Sequence, residues 1–168
     1  MMKLLRVIEC INEWTGKCVS IFIILLVFVI VVGVGARYLF DSPIIWIHET
    51  SLFIYGTYFM LAGGYTLLNN RHVKVEIIHK FLPERKRAIL DLITAPIFFF
   101  YIILMLWVGT EMTVESWRVR EVNATFWAPV IYPFKAVIPI GAFLLLMQGF
   151  VKLVRDVKVL KQKSQRLK

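Results

Sequence analysis

Four uncharged apolar stretches, separated by segments whose basic content alternates, constrain this chain more than any other feature. Residues 19–36, 50–68, 92–110 and 136–151 contain no Asp, Glu, Lys or Arg. The first three are 18 or 19 residues long, and the fourth reaches a similar length with Phe134 and the stem of Lys135. About 20 apolar residues cross a ~30 Å hydrocarbon core as a helix. Of the 20 Lys and Arg, three precede the first stretch, six (Arg71, Lys74, Lys80, Arg85, Lys86, Arg87) lie between the second and third, and seven follow the fourth. Only Arg37, Arg118, Arg120 and Lys135 fall on the other side. The positive-inside rule then predicts that both termini are cytoplasmic. The expected fold is an all-α membrane protein with four transmembrane helices, at about 18–40, 44–68, 86–114 and 129–153, plus short amphipathic interfacial helices. Residues 1–168 read as one membrane domain ending in a basic cytoplasmic tail, 152–168.

A mean hydropathy of +0.73 and 59% hydrophobic residues exceed what a soluble domain of this size carries. Four spans consume roughly half of the chain, which leaves no room for a soluble catalytic domain. The net charge of +9 lies close to the span ends, where it meets anionic headgroups of the lipid bilayer, and nucleic acid is not an expected partner. The first span is longer than a signal-peptide core and is followed by Arg37-Tyr38 instead of a small-residue cleavage site, so it is expected to be retained. Cys10 and Cys18 match no redox or zinc spacing.

Along the chain, residues 3–17 place Leu4, Leu5, Ile8, Ile11 and Trp14 at helical spacing, opposite Lys3, Arg6, Glu9 and Glu13. Two readings are open: a helix lying in the cytoplasmic interface, or an extension of span one. Asp41-Ser42-Pro43 is turn chemistry, and Trp46 follows at the depth that indole rings favour. In the segment between spans two and three, Val75, Ile78, Phe81 and Leu82 share a helical stripe, although HVKVEI also alternates as a strand would. A lone strand leaves its edges unpaired at a membrane surface, so a short interfacial helix is expected. Pro83 suits the start of the next helix. Pro96 in span three predicts a kink, and Pro139 in span four frees the carbonyl of Lys135. The connector 111–134, with Trp117, Phe126, Trp127, Tyr132, Pro129 and Pro133, reads as an ordered interfacial segment.

Chemistry is sparse. Ionisable groups inside spans point to transport sites, and here Glu49, Asp91 and Lys135 all lie at span ends. The absence of a mid-depth carboxylate argues against an autonomous small four-helix transporter or channel, which is the competing reading. His48, His72 and His79 fall on opposite sides of the membrane, so no haem or zinc site is expected and no cofactor is implied. No nucleophile–base pair or phosphate loop suggests an enzyme. Gly56 and Gly63 share a face of span two, near Gly64, and let a neighbouring helix approach. That neighbour is either within the four-helix unit or on a larger membrane partner.

Several short motifs, in order on this topology, resemble a known family. Arg37-Tyr38, Asp41-Ser42-Pro43, Trp46 and Glu49 follow span one; RHVKVE (Arg71, His72, Lys74, Glu76) and Leu82-Pro83-Glu84-Arg85 fill the inner segment. Ser116-Trp117, Ala128-Pro129, Ile131-Tyr132 and Ile138-Pro139-Ile140-Gly141 come later. From about residue 15 to 155 the chain resembles the small membrane subunit of tripartite ATP-independent periplasmic (TRAP) transporters. It departs at His48, where a carboxylate is common, and at Arg71, where a Gly is common. The resemblance implies a multi-pass bacterial inner-membrane protein and two partners: a large multi-span permease subunit as a separate polypeptide, and a periplasmic solute-binding protein. It implies Na⁺-coupled uptake of a carboxylate-bearing solute such as a C4-dicarboxylate or sialic acid, with this subunit part of the stationary scaffold. Arg37, Trp46, Glu49, Gly56, Gly63, Arg71, His72, Glu76 and Pro139 are the candidates for subunit contacts or structure. An Arg37–Glu49 pair, within the chain or to the partner, is compared with two solvated charges. Lys74, Ile78, Phe81, Arg85, Lys86 and Arg87 are the candidates for the membrane surface.

Overall fold

The computed structural model describes residues 2–69 and 83–165. They form α1 (Met2–Leu39), α2 (Trp46–Leu68), α3 (Glu84–Arg118), a single turn α4 (Tyr132–Lys135) and α5 (Val137–Gln165). Among the described residues four helices are long and apolar enough to cross a membrane, as the charge-free stretches predict.

The two readings of the N-terminal segment are resolved by α1, which runs unbroken for 38 residues. At 1.5 Å per residue this is about 57 Å, well beyond the hydrocarbon core. Residues 3–17 are therefore the extension of span one. The seam they bury follows only part of the stripe read from the sequence. Leu5, Asn12 and Val19, at successive heptad spacing, are buried, whereas Ile11 and Trp14 are exposed. A heptad seam is what one helix presents to a neighbour crossing it at a shallow angle.

Turn chemistry closes α1 as expected. Asp41 adopts a left-handed φ of 45°, which Asp tolerates, and this returns the Ser42 N–H to the carbonyl of Ala36 at 3.2 Å. Pro83 caps α3 from one position outside it, and the helix then continues through Pro96 to Arg118. Pro139 falls in the first turn of α5, where a missing N–H leaves no gap in the helix.

The helices form a row, not a closed bundle. α2 packs on α5 at the centre, α1 packs on α2 with a smaller contact to α5, and α3 packs on the far side of α5. The order across the row is α1, α2, α5, α3. Backbones approach closest where glycine removes a side chain. At Gly141 of α5 an added Cβ would lie 2.6 Å from the Met60 carbonyl oxygen of α2. Because α1 and α3 occupy opposite ends, each buries only a narrow stripe. Ile24, Phe28 and Val31 of α1 and Ile97, Phe100 and Trp107 of α3 remain exposed, suited to lipid or to another membrane protein.

The connector between α3 and α4 is ordered. Val122 and Val130 form an antiparallel bridge, the Ile131 N–H donates to the Glu121 carbonyl at 3.1 Å, and the Asn123 N–H donates to the Pro129 carbonyl at 2.9 Å. Left-handed residues at Arg120 (φ 49°) and Ala128 (φ 47°) turn the chain at its two ends.

Candidate functional site

Among the described residues no group of three or more His, Cys, Asp or Glu side chains could hold a metal ion. What the fold builds instead is a set of polar ties at each end of the helix row. The first lies at the end that carries both termini. Asn12 of α1, 1% exposed, donates from Nδ2 to Oε1 of Gln148 on α5 at 3.2 Å and to the carbonyl of Ile8 at 3.0 Å. Its Oδ1 has no hydrogen-bond partner and rests against Gly64 of α2, where an added Cβ would overlap it. Three helices therefore meet at one amide, and Gly64 is what leaves room for it.

Further along α5 toward the C-terminus, the ties become ionic. Arg155, two turns beyond Gln148, pairs with Glu9 of α1. Lys152 reaches the other way, to Asp91 of α3 at 2.8 Å, with side chains only 18% and 11% exposed. α5 thus fastens both outer helices of the row through one short stretch, residues 148–155. Partly buried pairs of this kind are costly to break on one side, because the remaining charge loses its partner.

At the opposite end, the polar groups bind the connector. Lys135 of α4 pairs with Glu121, and its hydrogen bond holds the Glu121 carboxyl below the usual carboxylate range. The main-chain carbonyl of Lys135, which Pro139 cannot engage, accepts a hydrogen bond from the Thr113 hydroxyl of α3 at 3.0 Å. Phe134 stacks on Phe53 of α2 with centroids 4.2 Å apart, and Trp117 meets Tyr132 edge-on at 4.8 Å. Lys135 fastens the connector through both its side chain and its carbonyl.

The expected site residues that are described have these surroundings. Glu49 is buried in the first turn of α2, and its Oε2 has no hydrogen-bond partner. Arg37 is exposed at the end of α1 and forms no ion pair with Glu49, so no such pair exists within the chain. Trp46 begins α2 and is 41% exposed. Gly56 meets nothing within 4 Å, and Gly63 makes only an ordinary contact, 3.8 Å from Leu145. The close approaches within the chain fall at other glycines: Gly16 and Gly33 of α1, Gly64 of α2, Gly109 of α3, and Gly141 and Gly149 of α5. Lys86 is exposed in the first turn of α3, which also contains Arg85 and Arg87. Arg71, His72, Lys74, Glu76, Ile78 and Phe81, and the interfacial helix expected there, lie outside the described residues.

Sequence reasoning missed Asn12, Gln148, Lys152 and Glu121. A signal for one was present: Gln148 is the one hydrogen-bonding side chain in the apolar stretch 136–151. An amide in hydrocarbon needs a partner, so it points toward a neighbouring helix.

No curated protein matches the chain. The sequence does match, over residues 26–159, the family described as Tripartite ATP-independent periplasmic transporters, DctQ component. That match takes in the later part of the first apolar span, the other three spans, the turn at Asp41, the connector and α5 through residues 148–155, and begins beyond Asn12. With four helices of membrane-crossing length and a family match over most of its length, the chain is a multi-pass inner-membrane protein and belongs to the family of TRAP transporter small membrane subunits.

Proposed function

We propose that this subunit is the stationary scaffold of a Na⁺-coupled uptake system, packing against a large permease subunit that is a separate polypeptide. The solute carries a carboxylate, as C4-dicarboxylates and sialic acids do, and is delivered by a periplasmic binding protein. The observation that carries this reading is the open row of helices. Among the described residues the row has two broad apolar faces and no enclosed path between them, which suits a wall and not a conduit. Its ion pairs gather at the ends of the spans, so they hold helices together without marking a mid-depth site. An elevator needs one part fixed while another slides. Ties at Asn12–Gln148, Glu9–Arg155 and Asp91–Lys152 supply that stiffness along one edge.

Both termini are cytoplasmic in this reading, by the sixteen-to-four distribution of Lys and Arg. Glu49 and Trp46 support assembly at the periplasmic side, and Gly56 offers an uncovered notch to the partner. The test is reconstitution in liposomes with a Na⁺ gradient. Uptake is expected only when the large subunit and the loaded binding protein are both present. Uptake by this chain alone would establish the autonomous four-helix transporter and overturn the scaffold reading.

A further inference from the structure

We propose that Arg37 and His48 form the head of a phospholipid-binding groove between α1 and α2, at the end of the row opposite both termini. A cavity of about 470 Å³ lies there, within the range of small-ligand sites. Its walls are aliphatic, Ile30 and Val34 from α1 with Ile44 and Ile47 from the turn and α2, and its rim carries Arg37 and His48. Apolar walls below a cationic rim match an acyl chain below a phosphodiester. Arg37 directly follows the charge-free stretch 19–36, which places its guanidinium at headgroup depth. A guanidinium offers paired N–H donors in the geometry that phosphate oxygens accept, and an imidazole N–H adds another donor.

The other end of the row shows why this groove stands apart. A second groove, between α3 and α5, also has apolar walls and a lysine at its rim. There Lys152 is already held by Asp91, and Asp156 shares the rim, so the charge is answered by the protein itself. The grooves around Phe53 and Phe134 are apolar apart from Thr57 and Lys135, and Glu121 occupies the lysine. Among the described residues Arg37 makes no ion pair, and burial does not shield it. An uncompensated guanidinium at headgroup depth, above an aliphatic slot, selects a lipid phosphate over a wholly apolar occupant.

The test uses the full chain, purified in detergent with and without its large partner, and phosphatidylglycerol as probe, read by native mass spectrometry. One lipid is expected to be retained per chain. Arg37→Gln should weaken retention by about tenfold or more, equal to about 1.4 kcal/mol, while Arg118→Gln, an exposed cation at the end of α3, leaves it unchanged. Val34→Trp keeps the rim and fills the slot from an exposed position, and it too should expel the lipid. Inorganic phosphate at millimolar concentration should not displace it. Equal retention by Arg37→Gln and Val34→Trp overturns the proposal, as does displacement by free phosphate, which would mark a bare anion site. If Arg37→Gln keeps its lipid but loses the large subunit, Arg37 faces a partner carboxylate and the proposal falls. Because retention is read on this chain alone as well, the result stands apart from the scaffold reading.

Discussion

Gly141→Ala should pry apart the centre of the helix row. The added methyl would sit 2.6 Å from the Met60 carbonyl oxygen, 2.9 Å from the Met60 carbonyl carbon and 3.1 Å from its Cβ. Ordinary contact begins at 3.4 Å, so α2 and α5 must separate by about 0.8 Å locally. Two of the three obstructing atoms are backbone and cannot rotate away. A gap of 0.5–1 Å forfeits roughly a quarter to a half of the dispersion well for the contacts along it. Overpacking of this kind costs about 1–3 kcal/mol, and the α2–α5 seam is the one that joins the two halves of the row. Gly56→Ala is the control. It makes the same chemical change in an apolar helix with nothing within 4 Å, and should be neutral or stabilise by up to about 1 kcal/mol through helix propensity. Thermal unfolding in detergent, followed by tryptophan fluorescence, separates the two. At roughly 2–4 °C per kcal/mol for a chain of this size, Gly141→Ala should melt about 5–10 °C below Gly56→Ala. Coincident melting curves would refute the close backbone crossing and, with it, the placement of α5 beside α2 in the row.

The polar ties make further predictions. Asn12→Leu and Gln148→Leu should each destabilise, and the double variant by less than their sum; a coupling near 0.6 kcal/mol is typical within membranes, and strict additivity would dissolve the pair. Lys152→Ala should destabilise more than Lys152→Ala combined with Asp91→Ala, because the single change leaves a poorly hydrated carboxylate; an equal or larger loss in the double variant would contradict this. Glu121, with its carboxyl held low by Lys135, stabilises the folded connector above the ordinary carboxylate range near pH 4.3. That contribution is lost as pH falls through the lowered value, so the Trp117 and Trp127 signals should shift in acid in the native chain and not in Glu121→Gln. Glu49→Gln should reduce co-purification with the large subunit; unaltered assembly and transport would remove Glu49 from the interface.

The number of apolar spans was legible because membrane insertion reads local composition: a charge-free run of about 20 residues has few other uses. The turn at Asp41 and the start of α3 after Pro83 were legible for a similar reason, since both depend on backbone preferences of single residues. Span neighbours were not. Nothing local says that α5 lies between α2 and α3, because every span offers an apolar surface to every other, and small differences in close packing choose among them. Gly56 and Gly63 have the spacing of contact glycines, yet in α2 the close crossing within the chain uses Gly64, because the rotation of each helix is set by its partner. The same holds for Arg37 and Glu49, close in sequence but turned to different surroundings by the α1–α2 turn. Sequence alone thus determined that this chain lives in a membrane and how often it crosses. Tertiary structure decided which polar side chains meet, since Asn12 and Gln148 are 136 residues apart and are brought together only by the packing of α1 and α5 against α2.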